Sequence, residues 1–421
     1  MNSLVYYLTL LCLFLSVYVY MGYPLLLWLL TRIVKPKTIN RANLTPQTTM
    51  MVSCYNEAAI IREKLNNCLA LNYPKDKFNI IVISDGSDDG TDEIVKEFEG
   101  KGVQLIRQEG RLGKTSGLNL GVAATEAEVI IFSDANAMFD PLAIRMLVRN
   151  FNDPDVGYVV GAALYTDAES NASAKSENTY WKYEIFMKKL ETQLHSVVGG
   201  DGAIYAIRRT LYEPLQQEDI NDFVNPLQIV AKGYRGVFDA DAMCFEETAG
   251  DFDKEGHRKQ RIVNRSFRGL MRVKEVLNPF KFGFYSLEII SHKLLRWLMP
   301  VFIIAIALGS TFLAQQGFAY FQLLVIFEVA FLWLAVVGYY KAEQENISPA
   351  FFYPYYFLMV NYRSLLGIIQ ALQGNIQVTW SSHREKNNRT AITKTKTMVL
   401  GAALILFSIY AFIHSALSLF G

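Results

Sequence analysis

Thiols and imidazoles are scarce in this chain, with four cysteines and five histidines among 421 residues. No CxxC, HxH or HExxH spacing joins them, so no zinc centre is expected. Cys12 lies in an uncharged apolar run, while Cys54, Cys68 and Cys244 read as reduced, buried thiols without a chemical role. Net charge is lacking too: 41 Lys and Arg against 40 Asp and Glu leave +1. That balance gives no reason to expect a nucleic-acid partner. Two phosphate-binding fingerprints are also missing, since "GRLGK" has neither GxxxxGK[ST] nor GxGxxG spacing.

The mean hydropathy of +0.16 conceals strong unevenness. Residues 4–30 carry no charge and exceed the roughly 20 residues that cross a bilayer. No basic start or small-residue cleavage site marks a signal peptide. Arg32, Lys35, Lys37 and Arg41 follow the run instead. The positive-inside rule then puts the N-terminus outside and the next domain in the cytoplasm. The chain reads as an integral membrane protein with a first span over 1–31, two spans within 297–340 and a last one over 398–420. The basic stretch 384–396 before the last span is expected to be cytoplasmic. Residues 276–296 read as an interfacial helix. Residues 348–380 read as interfacial or re-entrant, because Pro349, Pro354, Asn361 and Arg363 interrupt their apolar run. Glu328 inside the third span costs about 2–3 kcal/mol there and is expected to face protein or water.

Residues 45–275 read as an α/β domain. Strand-like runs at 48–54, 78–84, 103–107 and 128–133 alternate with helix-like stretches at 57–70, 91–99 and 115–124, which argues for a mostly parallel sheet. Such sheets bind ligands beyond the carboxyl ends of their strands. The residues found there are "SCYNEAA", "SDGSDDGT", "QEGRLGKTSGLNLG" and "SDANA". In the last, Asp134 and Asn136 stand two apart after a buried strand, so both can turn toward one hard cation that prefers oxygen ligands. A helix N-cap role for Asp134 before "AMFDPLA" is the simpler alternative. Further on, "GGDGAIYAIRR" places Gly200, Asp201 and Gly202 before a short strand, where glycine admits a ligand close to the backbone. Asp222 precedes an apolar helix and is the candidate base, with Asp219 and Glu218 as rivals and helix capping as its plainer role. Trp181 is either an aromatic platform for a ligand or a packed core residue.

The ordered set "SCYNE", "SDGSDDGT", "GKTSGLN", "SDAN", "GGDGAIYAIRR", "NDF" and "RKQRIVNR" resembles the nucleotide-sugar domain of family 2 glycosyltransferases, an α/β GT-A fold. The flanking apolar segments narrow the resemblance to the membrane-bound processive synthases of poly-N-acetylglucosamine, hyaluronan, chitin and cellulose. That resemblance implies that Asn56 and Glu57 line a uridine pocket, Asp85 contacts the base and Lys114 sits near the nucleotide. It implies that Asp134 and Asn136 hold Mg²⁺ or Mn²⁺ on the diphosphate and that Asp222 is the catalytic base. Gly200, Asp201 and Gly202 would lie against the acceptor, and Arg258 and Arg261 would fall where the family has Gln-x-x-Arg-Trp. Two departures stand out: Asn136 replaces a second aspartate, and Ile262 stands where the family usually has tryptophan.

The activity implied is inverting transfer from a UDP-sugar, with UDP-N-acetylglucosamine or UDP-glucose favoured, to the end of a growing β-linked polysaccharide. Membrane lipids surround such an enzyme, and export partner proteins join it where polymer crosses the bilayer. Single-sugar transfer to a lipid-linked acceptor stays open, as does a catalytically weak scaffold or translocation subunit. Intact Asp85, Asp134 and Asp222 argue against the scaffold. Trp380 in "VTWSSHR" reads as an interfacial anchor or as part of a loop over the site.

Overall fold

The computed structural model describes residues 2–167, 172–247, 252–342, 347–376 and 378. The apolar start forms α1 (Asn2–Val17) and α2 (Tyr23–Ile33), joined by a π-helical turn at Tyr18–Gly22. Pro24 falls in the first turn of α2, where its missing N–H is tolerated.

The domain that follows begins with β1 (Thr48–Cys54), α3 (Ile61–Ala70), β2 (Phe78–Ser84), α4 (Thr91–Lys96), β3 (Val103–Arg107), α5 (Lys114–Ala123) and β4 (Val129–Asp134). Next come β5 (Met138–Phe139), α6 (Ala143–Val148), β6 (Val156–Tyr165), α7 (Ala172–Leu194), β7 (Tyr205–Arg208), α8 (Asn221–Ala231) and β8 (Arg235–Glu246). The strands form one sheet in the order β3-β2-β1-β4-β7-β6-β8-β5. Met50, Val52, Ile80, Val82 and Ile131 pack into one hydrophobic cluster, whereas Met51, Ile81, Ile83, Ile130 and Phe132 pack into another on the opposite face. Burial on both faces is why these strands read as continuous apolar runs rather than alternating ones.

Strands β1 to β4 are mutually parallel, so their carboxyl ends share one edge. The sheet is mostly parallel, as expected, with β6 parallel to β8, but two strands run the other way: β7 is antiparallel to both β4 and β6, and β5 is antiparallel to β8. Apolar patterning carries no information on strand direction. Only the long return through α7 brings β7 in from the opposite end.

Beyond β8, α9 (Phe252–Arg272) leads to the short helices α10 (Pro279–Phe282), α11 (Phe284–Ile289) and α12 (Leu295–Trp297), and then to α13 (Met299–Gln315), α14 (Ala319–Lys341) and α15 (Pro349–Leu372). Among the described residues, two helical stretches are long and apolar enough to cross a membrane, Asn2–Ile33 and Ala319–Lys341; Phe284–Trp297 and Met299–Gln315 pass only as a pair bent by 59°. Helices α1 and α13 meet where Thr9 lies against Gly309, a contact that leaves no room for a larger residue. Glu328 is met by a neighbouring helix, as expected for a carboxylate in such a segment: Ser310 Oγ lies 2.9 Å and 3.2 Å from its two oxygens. Residues 349–372 form one helix, with Pro354 inside it, that packs against α9 through Gly256 and Gly367. Trp380, the basic stretch 384–396 and the expected span 398–420 lie outside the described residues.

Candidate active site

The ends of β1 and β2 are stitched together by backbone geometry and amide chemistry. Asn56 adopts φ +52°, the one left-handed non-glycine among the described residues, a conformation that asparagine tolerates. Its Nδ2 donates to Asp88 Oδ1 (2.8 Å) and its Oδ1 accepts from Asp88 N (3.0 Å). Glu57 N donates to Thr91 Oγ1 (2.9 Å). Asn56 and Glu57 thus brace the loop after β1 against the loop after β2, which begins at Asp85. Asp85 is buried, and its Oδ1 accepts from Gly113 N (2.8 Å) and Gln108 Nε2 (2.9 Å). Burial raises its carboxyl above the usual aspartate value. Arg111 approaches Asp85 Oδ2 (3.6 Å) and lays its guanidinium 3.3 Å from the centroid of Tyr55. Val378, beyond α15, packs directly on Gly113, so the chain after the last described helix returns to this loop.

The reactive half lies over Gly202. A Cβ placed there would stand 3.3 Å from Asp222 Oδ2, 3.5 Å from Asp134 Oδ2 and 3.6 Å from Lys114 Nζ. Lys114 and Asp134 thus meet Asp222, from a segment more than eighty residues further along the chain, beside Gly202. Lys114 Nζ sits 2.5 Å from Asp134 Oδ1. Asp134 ends β4, and the next helix starts only at Ala143, so Asp134 caps no helix. Ala137 N bonds to Asp134 O (3.3 Å), closing the turn on which Asn136 is partly exposed. Asp134 and Asn136 carry oxygen donors of the kind a hard cation takes, although Lys114 already pairs with the carboxylate and no group of three or more His, Cys, Asp or Glu among the described residues is placed to hold a metal ion.

Asp222 is the second residue of α8, whose N-cap is Ile220, so it is not the helix cap. Gly200 N donates to Asp222 O. Asp222 Oδ1 is sealed from solvent and has no hydrogen-bond partner among the described residues. Burial raises its carboxyl above the usual value, opposed most by Lys114 and reinforced by Asp201 and Asp134. Its rival Asp219 is instead ion-paired with Arg272 and accepts from Gln216 N (2.7 Å). The two carboxylates that matter are held at fixed separation by one packed chain. Tyr205 of β7 stacks on Phe132 of β4 (4.6 Å between centroids), and Asn221 and Asn225 of α8 both donate to the Tyr205 hydroxyl (2.8 and 3.0 Å).

The two candidate arginines of α9 part company. Arg258 is committed to Glu177 (2.7 Å) and Glu255 (3.4 Å). Arg261 makes no hydrogen bond or ion pair among the described residues and lies within the field of Asp134 and Asp222. Burial, with Arg258 beside it, pushes its guanidinium down to about 10. Asp201 holds Lys188 (3.4 Å), and that ammonium covers one face of Trp181 at 4.6 Å. The Trp181 indole N–H donates to Ala163 O (2.5 Å), so the ring is packed behind Asp201 rather than laid open beside Gly202.

Sequence reading missed three groups. Arg265 gathers the carbonyls of Gln217, Glu218 and Asp219 together with Thr115 Oγ1, bracing the loop that delivers Asp222. Glu246 ends β8 close enough to Asp201 and Asp134 to feel their charge, and burial pushes its carboxyl up to about 8. Lys64 is wholly buried beneath the Asp134 turn. Its signal was present: it interrupts the apolar stripe of Ile61, Leu65 and Cys68 on α3.

The Asp222 environment carries a pH prediction. A base acts only when ionised, and its raised value puts the acid limb of activity above that of a free aspartate. Lys114→Met removes the largest charge that lowers it. The acid limb of kcat/KM is therefore expected to move to higher pH in that variant, and a pH–rate profile of both proteins checks it.

Residues 49–215 match the model for the glycosyl transferase family 2. The chain is 27% identical over 243 residues to the poly-β-1,6-N-acetyl-D-glucosamine synthase of Staphylococcus aureus (strain COL), covering 54% of this chain and 58% of that protein. It is 34% identical over 207 residues to the probable glycosyltransferase YdaM of Bacillus subtilis (strain 168), covering 47% and 49%. The chain thus spans about half the length of the curated relatives it matches. Among solved structures, a mannosyltransferase from Pyrobaculum calidifontis in complex with GDP-Man and Mn²⁺ shares the fold. Its TM-score is 0.67 at 20% identity, over 87% of this chain and 99% of that one.

Proposed function

We propose, for a chain whose residues 49–215 are a family 2 glycosyltransferase domain, the inverting transfer of a sugar from a UDP-sugar to the end of a growing β-linked polysaccharide. The observation that carries this reading is the meeting of Asp134, Lys114 and Asp222 over Gly202, at the carboxyl edge of the parallel strands. The loops around Asp85 take the uracil and ribose, and the space beside Gly202 takes the diphosphate and the sugar. Asp222, whose buried oxygen lacks a partner, accepts the proton of the attacking acceptor hydroxyl. The acceptor oxygen bonds to the anomeric carbon as that carbon's bond to the diphosphate breaks. Arg261 and Lys114 meet the negative charge that gathers on the leaving group. Mg²⁺ or Mn²⁺ held by Asp134 with Asn136 would neutralise the same charge. UDP-N-acetylglucosamine is favoured over UDP-glucose, a reading supported by the similarity to a protein named as a poly-β-1,6-N-acetyl-D-glucosamine synthase. Calorimetry with UDP and GDP in the presence of Mn²⁺ tests the donor: UDP is expected to bind the more tightly, and a preference for GDP overturns the assignment.

One observation favours single-sugar transfer to a lipid-linked acceptor as the second reading. Trp181 is engaged by Ala163 and Lys188, so a long glycan must find its platform elsewhere. Under either reading the catalytic domain is cytoplasmic and its acceptor lies at the membrane, with export partners where polymer crosses. A cysteine at Lys35 is therefore expected to be shielded from an impermeant thiol reagent added to intact cells, and one at Gln316 to be labelled. The reverse pattern contradicts the orientation.

A further inference from the structure

We propose that Lys64 is a positioning residue that fits the Asp134–Asn136 turn to a cation carried on a nucleotide diphosphate rather than to a free cation. The inference rests on the UDP-sugar reading above. Lys64 belongs to α3 and is 0% exposed. Its ammonium donates to Ser133 Oγ (2.8 Å) and to Ala137 O, the residues that bracket Asp134 to Asn136. It also lies 4.5 Å from the centroid of Phe139. One turn on, Asn67 takes both backbone groups of Phe139, at 2.8 and 2.9 Å. Helix α3 thereby clamps the whole segment 133–139 from the interior side.

Hydrogen bonding alone does not account for a charge in that place. No carboxylate lies within ion-pair distance of Lys64 among the described residues. An ammonium buried without a counter-ion is costly, and a polar neutral side chain could make the same two bonds. Lys114 already neutralises Asp134 from the solvent side. With Lys64 behind the turn, the Asp134 carboxylate lies between two positive charges. A bare divalent cation entering that field is repelled by both. A cation that arrives on a diphosphate comes with two negative charges on a UDP-sugar and three on ionised UDP, so its own charge is cancelled or outweighed and neither ammonium repels the pair. Lys64 cannot swing away as Lys114 can, because it is enclosed on every side.

The test compares Mn²⁺ alone with Mn²⁺ and UDP together, each titrated calorimetrically into the full-length protein, with melting temperatures recorded in parallel. For Lys64→Met, binding of the Mn²⁺·UDP pair is expected to weaken about 10–100-fold, while Mn²⁺ alone binds as well as to wild type or better. Equal weakening of both would make Lys64 a merely structural support and overturn the proposal, as would no weakening of either. If Lys64→Met fails to fold, Lys64→Gln decides, since it keeps a polar donor facing Ser133 and Ala137 and removes the charge. It is expected to weaken the pair about tenfold, and unchanged affinity overturns the proposal. Wild-type protein that binds no Mn²⁺·UDP at all contradicts the donor reading instead, so the two failures are separable.

Discussion

Asp222→Asn is expected to lower transfer about 10²–10⁴-fold, which is about 3–5 kcal/mol of transition-state stabilisation. Mn²⁺-dependent UDP binding should stay at the wild-type level. The substitution keeps the size and shape of the side chain and removes its capacity to take a proton. Asp222 is suited to that role because its Oδ1 is buried without a partner, whereas Asp219, three residues earlier, is held by Arg272. The loops around Asp85, proposed to take the nucleotide, are built from other segments, so binding and transfer should separate. Turnover with UDP-sugar and calorimetry with UDP, run on one preparation, check both halves. Wild-type turnover by the variant removes Asp222 from the mechanism.

Asp134→Ala carries the second large effect. Metal-dependent UDP binding should be lost, because the only carboxylate of the 133–137 turn goes with it and Lys114 is left without its 2.5 Å partner. Asn136→Asp should retain or tighten the metal, since it adds a second carboxylate to the same turn. Activity titrated with Mn²⁺ distinguishes the three proteins. Superimposable curves for wild type and Asp134→Ala would exclude this turn as the metal site.

Much of this site could be read from sequence because it lies at strand ends. The strands are buried on both faces, so each apolar run stops at their carboxyl edge: Asp85 follows β2, Asp134 closes β4, and Lys114 opens α5 after the loop that leaves β3. The resemblance to family 2 enzymes added Asp222 and Gly202, and the structure brings both to Asp134. What stayed hidden depends on contacts between distant segments. The choice between Asp219 and Asp222 turns on Arg272, some fifty residues later and on another helix. The helix-cap alternative for Asp134 failed because the residues after it form β5, a strand too short to show as a periodicity. Trp181 sits on a helix of mixed character, and nothing in its neighbours shows that Lys188, two turns on, folds over its ring. Lys64 would pass as an ordinary surface lysine, were it not on the buried stripe of α3. The direction of β7, and with it the mixed sheet, follows from chain routing rather than residue pattern.

The most direct test is to incubate purified protein with Mn²⁺ and, in turn, UDP-N-acetylglucosamine, UDP-glucose and GDP-mannose, measuring nucleotide release and sizing the glycan formed. Metal-dependent UDP release, fastest with UDP-N-acetylglucosamine and accompanied by a product ladder that lengthens as donor is raised over acceptor, is the predicted result. Release from GDP-mannose alone, or no release from any UDP-sugar with lipid and glycan acceptors present, would contradict it.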